Sequence, residues 1–182
     1  MKKNKAFFFD RDGILNKSII RNNKPFSPRN LKELNLNFEL IEFIKKLKKK
    51  GFKIIVVTNQ PDIKYGKLSK HTLKIINSII AKTFFVDDIY ACIHGKKDNC
   101  ECRKPKPGML KKASKKWNID LKKSYLIGDR WKDIKSGESM GCTTIFIDYN
   151  YDEYKPKSYN YKYKSISLMV NNIEKICEKK YL

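Results

Sequence analysis

The sequence predicts an α/β protein whose mostly parallel central sheet is covered by helices on both faces. Three observations lead there. Short apolar runs of strand length recur as AFFF at residues 6–9, KIIVV at 53–57, IYAC at 89–92, SYLIG at 124–128 and TTIFI at 143–147. Between them lie segments whose apolar residues return at helical spacing. Chemically distinctive residues (Asp10, Thr58, the Cys/His stretch at 92–102 and Asp129) fall just past the strand ends. That edge is where function gathers in a parallel sheet.

The first run meets no polar residue before Asp10, as expected for a strand buried on both faces. Residues two apart in extended chain share a face, so Asp10 and Asp12 can converge while Arg11 turns away and Gly13 lets the backbone turn. Residues 14–28 are polar, and Pro25 and Pro28 exclude a long helix, which predicts a loop or flap over the strand ends. Leu40, Ile41, Ile44 and Leu47 predict a helix from Glu39 that Gly51 stops. Residues 45–50 carry its exposed last turns, where cations suit the dipole.

KIIVVTNQ follows as a second strand with Thr58, Asn59 and Gln60 at its tip. Residues 69–84 read as a helix with Leu73, Ile76, Ile79 and Ile80 along one side. A third strand covers 89–92. Pro107 can open a helix that continues through Leu110, Ala113 and Trp117. SYLIGDRWKD gives a fourth strand with acids beyond it, residues 133–140 a short helix ended by Gly141, and TTIFID a fifth strand. Residues 149–164, rich in Tyr, Lys and Asn, are expected to form a basic strap over the sheet edge, and residues 166–177 a closing helix. Strands alternating with helices imply right-handed crossovers and a Rossmann-like three-layer architecture.

A chain of 182 residues can bury one sizeable core and is short for two, so a single domain over 1–182 is expected. The 41 Lys+Arg against 19 Asp+Glu leave a net charge of +22, which favours phosphate-bearing partners. The lysines are spread along the whole chain, which argues against a dedicated nucleic-acid footprint. Arg11, Arg103 and Arg130 sit inside motifs. The start lacks the apolar length of a signal peptide and no run approaches a membrane span, so a cytoplasmic protein without membrane attachment is expected.

Two carboxylates at the end of a parallel strand, Asp10 and Asp12, could hold a hard cation such as Mg2+, one attacking and the other moving protons. By itself the DxDG pattern also reads as an Asx turn. Cys92, His94, Cys100 and Cys102 place four soft or borderline ligands within eleven residues, the pattern of a closed, structural zinc site. Closing that loop would hold Arg103 and Lys104 against the sheet. Cys142 and Cys177 are expected to be buried thiols outside the cluster.

Four separated motifs, DRDG at 10–13, Thr58, Lys104 and GDRWKD at 128–133, together resemble the haloacid dehalogenase superfamily. DRDGILN, VVTNQ, the Cys/His stretch running into CRKPKPGML, and IGDRWKDIKSGESMGC are similar to its capless branch, which contains D-glycero-D-manno-heptose 1,7-bisphosphate phosphatases and histidinol-phosphate phosphatases. The resemblance implies a phosphatase in which Asp10 attacks phosphorus and Asp12 serves as acid, then base. It implies Mg2+ on Asp10, the Asp12 carbonyl and Asp129, with Asp133 orienting a ligand or water. Thr58 and Lys104 would stabilise the transferring phosphoryl oxygens, and Asn59, Gln60, Arg103 and Arg130 would face the substrate. No insertion after Asp12 or between Thr58 and Lys104 has the length of a cap domain.

The chain departs from heptose phosphatases at Pro61 and Asp62 after TNQ and in its five-residue loop between His94 and Cys100. The short loop is similar to that of histidinol-phosphate phosphatases. Arg103 and Arg130 in a +22 protein suit a phosphorylated sugar carrying a second dianion. A basic nucleic-acid-binding or end-processing protein is the reading from another class. The expected assembly state is a monomer.

Overall fold

A computed structural model describes residues 3–179, with side chains through residue 173. Six parallel strands form one sheet: β1 (Lys5–Phe9), β4 (Phe52–Asn59), β5 (Asp88–Cys92), β6 (Tyr125–Gly128), β7 (Thr143–Ile147) and β8 (Tyr161–Tyr163). A short antiparallel hairpin, β2 (Ile19–Arg21) and β3 (Lys24–Phe26), stands apart from it. The spatial order is β5-β4-β1-β6-β7-β8. The chain therefore leaves β1 to build one side of the sheet, then crosses back over it to build the other. Asp10, the residue after β1, lies at that reversal, where the flanking connections diverge and leave a crevice.

Alternation along β1 divides the core. Phe7 and Phe9 pack on the face covered by α1 (Leu40–Lys49), α2 (Lys70–Thr83) and α5 (Ile166–Lys179), joined there by Phe43, Ile76 and Met169. Ala6 and Phe8 face the layer of α3 (Gly108–Trp117), with Met109, Leu110 and Ala113. The α4 helix (Trp131–Glu138) lies on that same face, its Gly137 against Leu126. On the first face the Phe7 and Tyr125 rings stack at 4.4 Å with planes only 7° apart, which ties β1 to β6 directly below the site.

The local signals account for most element ends. Ser69 caps α2 by accepting a hydrogen bond from the Thr72 amide. Gly51 ends the α1 turn with φ +78°, a backbone conformation that suits glycine.

Several expectations are corrected. The strap at 149–164 contains β8, which extends the sheet by pairing in parallel with β7 from Ile145–Tyr161 to Ile147–Tyr163. The loop at 14–28 contains the β2–β3 hairpin. Phe43 joins Leu40, Ile44 and Leu47 on the buried face of α1, with Ile41 half-buried against the same core. The α4 helix starts at Trp131, two residues before the expected Asp133. Among the described residues no cap domain is inserted, and no helix is long and apolar enough to cross a membrane. Cys142 is buried, whereas the Cys177 side chain lies outside the described residues.

Candidate active site

The carboxyl ends of β1, β4 and β6 and the loop beyond β5 meet around a cavity of about 360 Å³, a size typical of small-molecule sites. Asp10, Asp12, Thr58, Arg103, Lys104 and Asp133 all line it.

Lys104 is the hub. Its side chain is 3% exposed, and its Nζ lies 2.9 Å from Asp10 Oδ1 and 2.5 Å from Asp133 Oδ1. It also donates to the Val57 carbonyl at 2.6 Å, so all three ammonium protons have acceptors. Burial alone would lower its pKa, but the Asp10 and Asp133 charges outweigh burial and raise it. The backbone of Lys104 is fixed too: Asn59 donates to its carbonyl and accepts from its amide, each at 3.1 Å.

Asp10 is pushed up to about 7, first by burial and then by the Asp133 charge, against the opposing pull of Lys104. Asp129 is raised as well, by burial and by the charges of Asp10 and Asp133. These three acids each bring an oxygen within 4.8 Å of the others. Both Asp129 oxygens are buried without a well-formed protein hydrogen bond, although the Tyr151 hydroxyl lies close by. Unsatisfied buried oxygens beside two further carboxylates fit a hard divalent cation. Gly13 completes the cradle: a Cβ there would come within 1.9 Å of Asp129 Oδ2.

Asp12 has a different environment. Arg11, expected to turn away, is fully buried and lies alongside it, donating from Nε at 3.0 Å and from Nη2 at 3.1 Å. The extended geometry stops at Asp10, because the amides of Leu15 and Asn16 turn back onto the Arg11 carbonyl. Ser27, just after the hairpin, and Gln60, just after β4, each donate to Asp12 Oδ2 at 2.7 Å. Burial would raise the Asp12 pKa, but the Arg11 charge and these hydrogen bonds lower it. Gln60 is fully buried and donates also to Thr58 Oγ1 at 2.8 Å.

The remaining expected residues divide. Arg103 lines the cavity and donates to the His94 carbonyl at 3.0 Å. Arg130 lines it too, but is held by Glu153, which accepts from Nε at 2.8 Å and also pairs with Nη2. Lys132 is half-buried beside them, and its pKa is lowered by burial and then by the charge of Arg130.

Cys92, His94, Cys100 and Cys102 converge at the cavity's edge. Their ligand atoms are separated by 3.3 Å for His94–Cys102, 3.5 Å for Cys100–Cys102, and 3.6 Å for Cys92–His94 and Cys92–Cys100. Zinc bond lengths of about 2.0–2.3 Å place tetrahedral ligands at such separations.

Residues 29–141 match the haloacid dehalogenase-like hydrolase family. The chain belongs to that family. It is 33% identical over 157 residues to the D-glycero-alpha-D-manno-heptose-1,7-bisphosphate 7-phosphatase of Photorhabdus laumondii, covering 80% of this chain and 82% of that protein. Identity is 37% over 145 residues with the beta-anomer 7-phosphatase of Haemophilus influenzae, 74% of this chain and 76% of that one. The bifunctional histidine biosynthesis protein HisB of Buchnera aphidicola is 30% identical over 87% of this chain and 43% of its own length. In structure, the D,D-heptose 1,7-bisphosphate phosphatase of B. bronchiseptica, solved with magnesium and phosphate, superposes with a TM-score of 0.78 at 22% identity, over 94% of this chain and 99% of that one. The protein is thus a phosphatase of the haloacid dehalogenase-like family.

Sequence reasoning missed Arg11, Ser27 and Glu153 in this phosphatase site. An arginine between two acids was a visible signal for the first. The other two are joined to their partners only by the fold.

Replacing Arg11 tests the Asp12 network. Arg11→Met leaves a buried carboxylate unpaired and is expected to cost about 3–5 kcal/mol of stability at pH 7, read by urea unfolding. Arg11 lowers the pKa of Asp12, so it contributes stability above the unfolded-state value and loses it as pH falls. Without Arg11, protonation relieves the charge left without its ion pair, so the deficit should shrink as acidification protonates Asp12 in the variant.

Proposed function

We propose that the protein is a Mg2+-dependent sugar-bisphosphate phosphatase acting through an aspartyl phosphate, with D-glycero-D-manno-heptose 1,7-bisphosphate as substrate and the 7-phosphate as the group removed. The observation that carries this reading is the convergence of Asp10, Lys104, Asp129 and Asp133 at one end of a cavity that Thr58 and Asp12 also line. The names of the relatives at 32–37% identity support the substrate.

In this mechanism an Asp10 oxygen attacks phosphorus while the sugar oxygen leaves with a proton from Asp12. Asp12 then takes a proton from the water that attacks the aspartyl phosphate and releases inorganic phosphate. Arg11, Ser27 and Gln60 favour the ionised form of Asp12 required in the second step. The arriving phosphate dianion raises its pKa and favours the protonated form required in the first. Lys104 and Thr58 face the transferring oxygens, Lys104 also offsetting the repulsion between Asp10 and Asp133. Asp10, the Asp12 carbonyl and Asp129 would hold Mg2+, which when bound offsets the repulsion between carboxylate and phosphate. Asn59 and Gln60 act by positioning Lys104 and Asp12.

The Cys/His cluster is read as a structural Zn2+ site that fixes the base of Arg103 and Lys104, supported by its ligand separations. The whole chain is read as one catalytic domain, monomeric and cytoplasmic. Histidinol phosphate is the second substrate reading, favoured by the HisB relative. The cations around the cavity mouth favour a substrate with a second phosphate over one carrying a cationic imidazole and amine.

Phosphate release with Mg2+ should be measured for both anomers of the heptose bisphosphate, for histidinol phosphate and for phosphorylated oligonucleotides. The expected kcat/KM for a heptose bisphosphate exceeds the others by about ten-fold or more, and Asp10→Asn lowers it by about a thousand-fold. Turnover that survives Asp10→Asn contradicts the mechanism, and a preference for histidinol phosphate contradicts the substrate. For the zinc site, Cys100→Ser should lose bound zinc and melt at lower temperature than the parent, as read by metal analysis and calorimetry. An unchanged melting temperature in zinc-free protein would remove the structural role.

A further inference from the structure

Most cations lining the active-site cavity already have acidic partners. Lys104 is bound by Asp10 and Asp133, Arg29 by Asp62 at 2.7 Å, and Arg130 by Glu153. Lys132 differs. It lines the same cavity, is half-buried, and forms no hydrogen bond or ion pair with any described residue, its Nζ lying 5.6 Å from the Trp131 ring centroid.

The two acids near enough to act on Lys132, Glu153 and Asp133, are each engaged elsewhere, one by Arg130 and the other by Lys104. Two guanidinium groups, Arg130 and Arg103, push on its charge while these shared acids still pull, and burial and the Arg130 push prevail. Arg103 has its contact with a carbonyl, which leaves its charge uncompensated. A half-buried ammonium held among like charges is costly unless an anion arrives to pair with it.

We propose that Lys132, with Arg103, forms the subsite for the substrate's second anionic group, and that Glu153 ties Arg130 into the wall of that subsite. This rests on the sugar-bisphosphate reading and adds to it a specificity-determining residue. Lys132 is well placed for the role because it immediately precedes Asp133, whose carboxylate touches Lys104 at the reacting centre. An anion on Lys132 would share the cavity with the phosphoryl group on Asp10.

The test is a binding selectivity. In Asp10→Asn protein with Mg2+, calorimetry measures the affinity for fructose 1,6-bisphosphate relative to fructose 6-phosphate, with Lys132 intact or changed to Met or Arg. Thermal melting confirms that each variant is folded. The proposal expects the ratio to fall about ten-fold or more with Lys132→Met and to recover with Lys132→Arg. A ratio unmoved by Lys132→Met, or no preference for the bisphosphate when Lys132 is intact, overturns it. If heptose bisphosphates prove not to be turned over while Lys132→Met still lowers the ratio, the substrate reading fails and the subsite stands.

Discussion

Three carboxylates, Asp10, Asp129 and Asp133, crowd into one buried volume that a single ammonium, Lys104, must neutralise. At the 4.8 Å limit of their separation, each ionised pair would repel by about 3–4 kcal/mol at an effective dielectric of about 20. One lysine cannot balance three such charges. Burial first, and then that deficit, raise the pKa values of Asp10 and Asp129. A protein that keeps this arrangement holds part of its stability in reserve for an incoming cation.

Much of the surrounding structure permits this crowding. Gly13 and Gly128 lack the Cβ atoms that would strike Asp129 at 1.9 Å and Asp133 at 2.2 Å. Asn59 clasps the Lys104 backbone from the neighbouring strand, and the Cys/His loop holds the chain just before it. The sheet order places β1 between β4 and β6, so residues separated by more than a hundred positions end at one edge. Stacked Phe7 and Tyr125 brace the same pair of strands from below.

The parts of this design that depend on local pattern were legible in the sequence. AFFF before Asp10, YLIG before Asp129, and apolar residues at helical spacing fixed the strands and helices that carry the acids. What escaped depends on contacts between distant segments or on backbone that leaves regular geometry. Arg11 was assigned the wrong direction because the chain turns at once after β1, bringing its guanidinium beside Asp12. β8 escaped because Tyr161, Lys162 and Tyr163 lie at a sheet edge, where partial exposure removes the apolar run that marks a central strand. Glu153 looked like one acid in a basic strap; only the fold brings it to Arg130.

Magnesium titration by calorimetry, repeated near pH 6.5 in two buffers of different ionisation enthalpy, addresses the charge deficit most directly. With Asp10 raised to about 7 and Asp129 also raised, the metal-free site retains protons that an ionised carboxylate would have lost. The expected result is one Mg2+ per chain with release of about one proton, and no binding in Asp129→Asn. Binding without proton release, or undiminished binding in Asp129→Asn, would contradict the account.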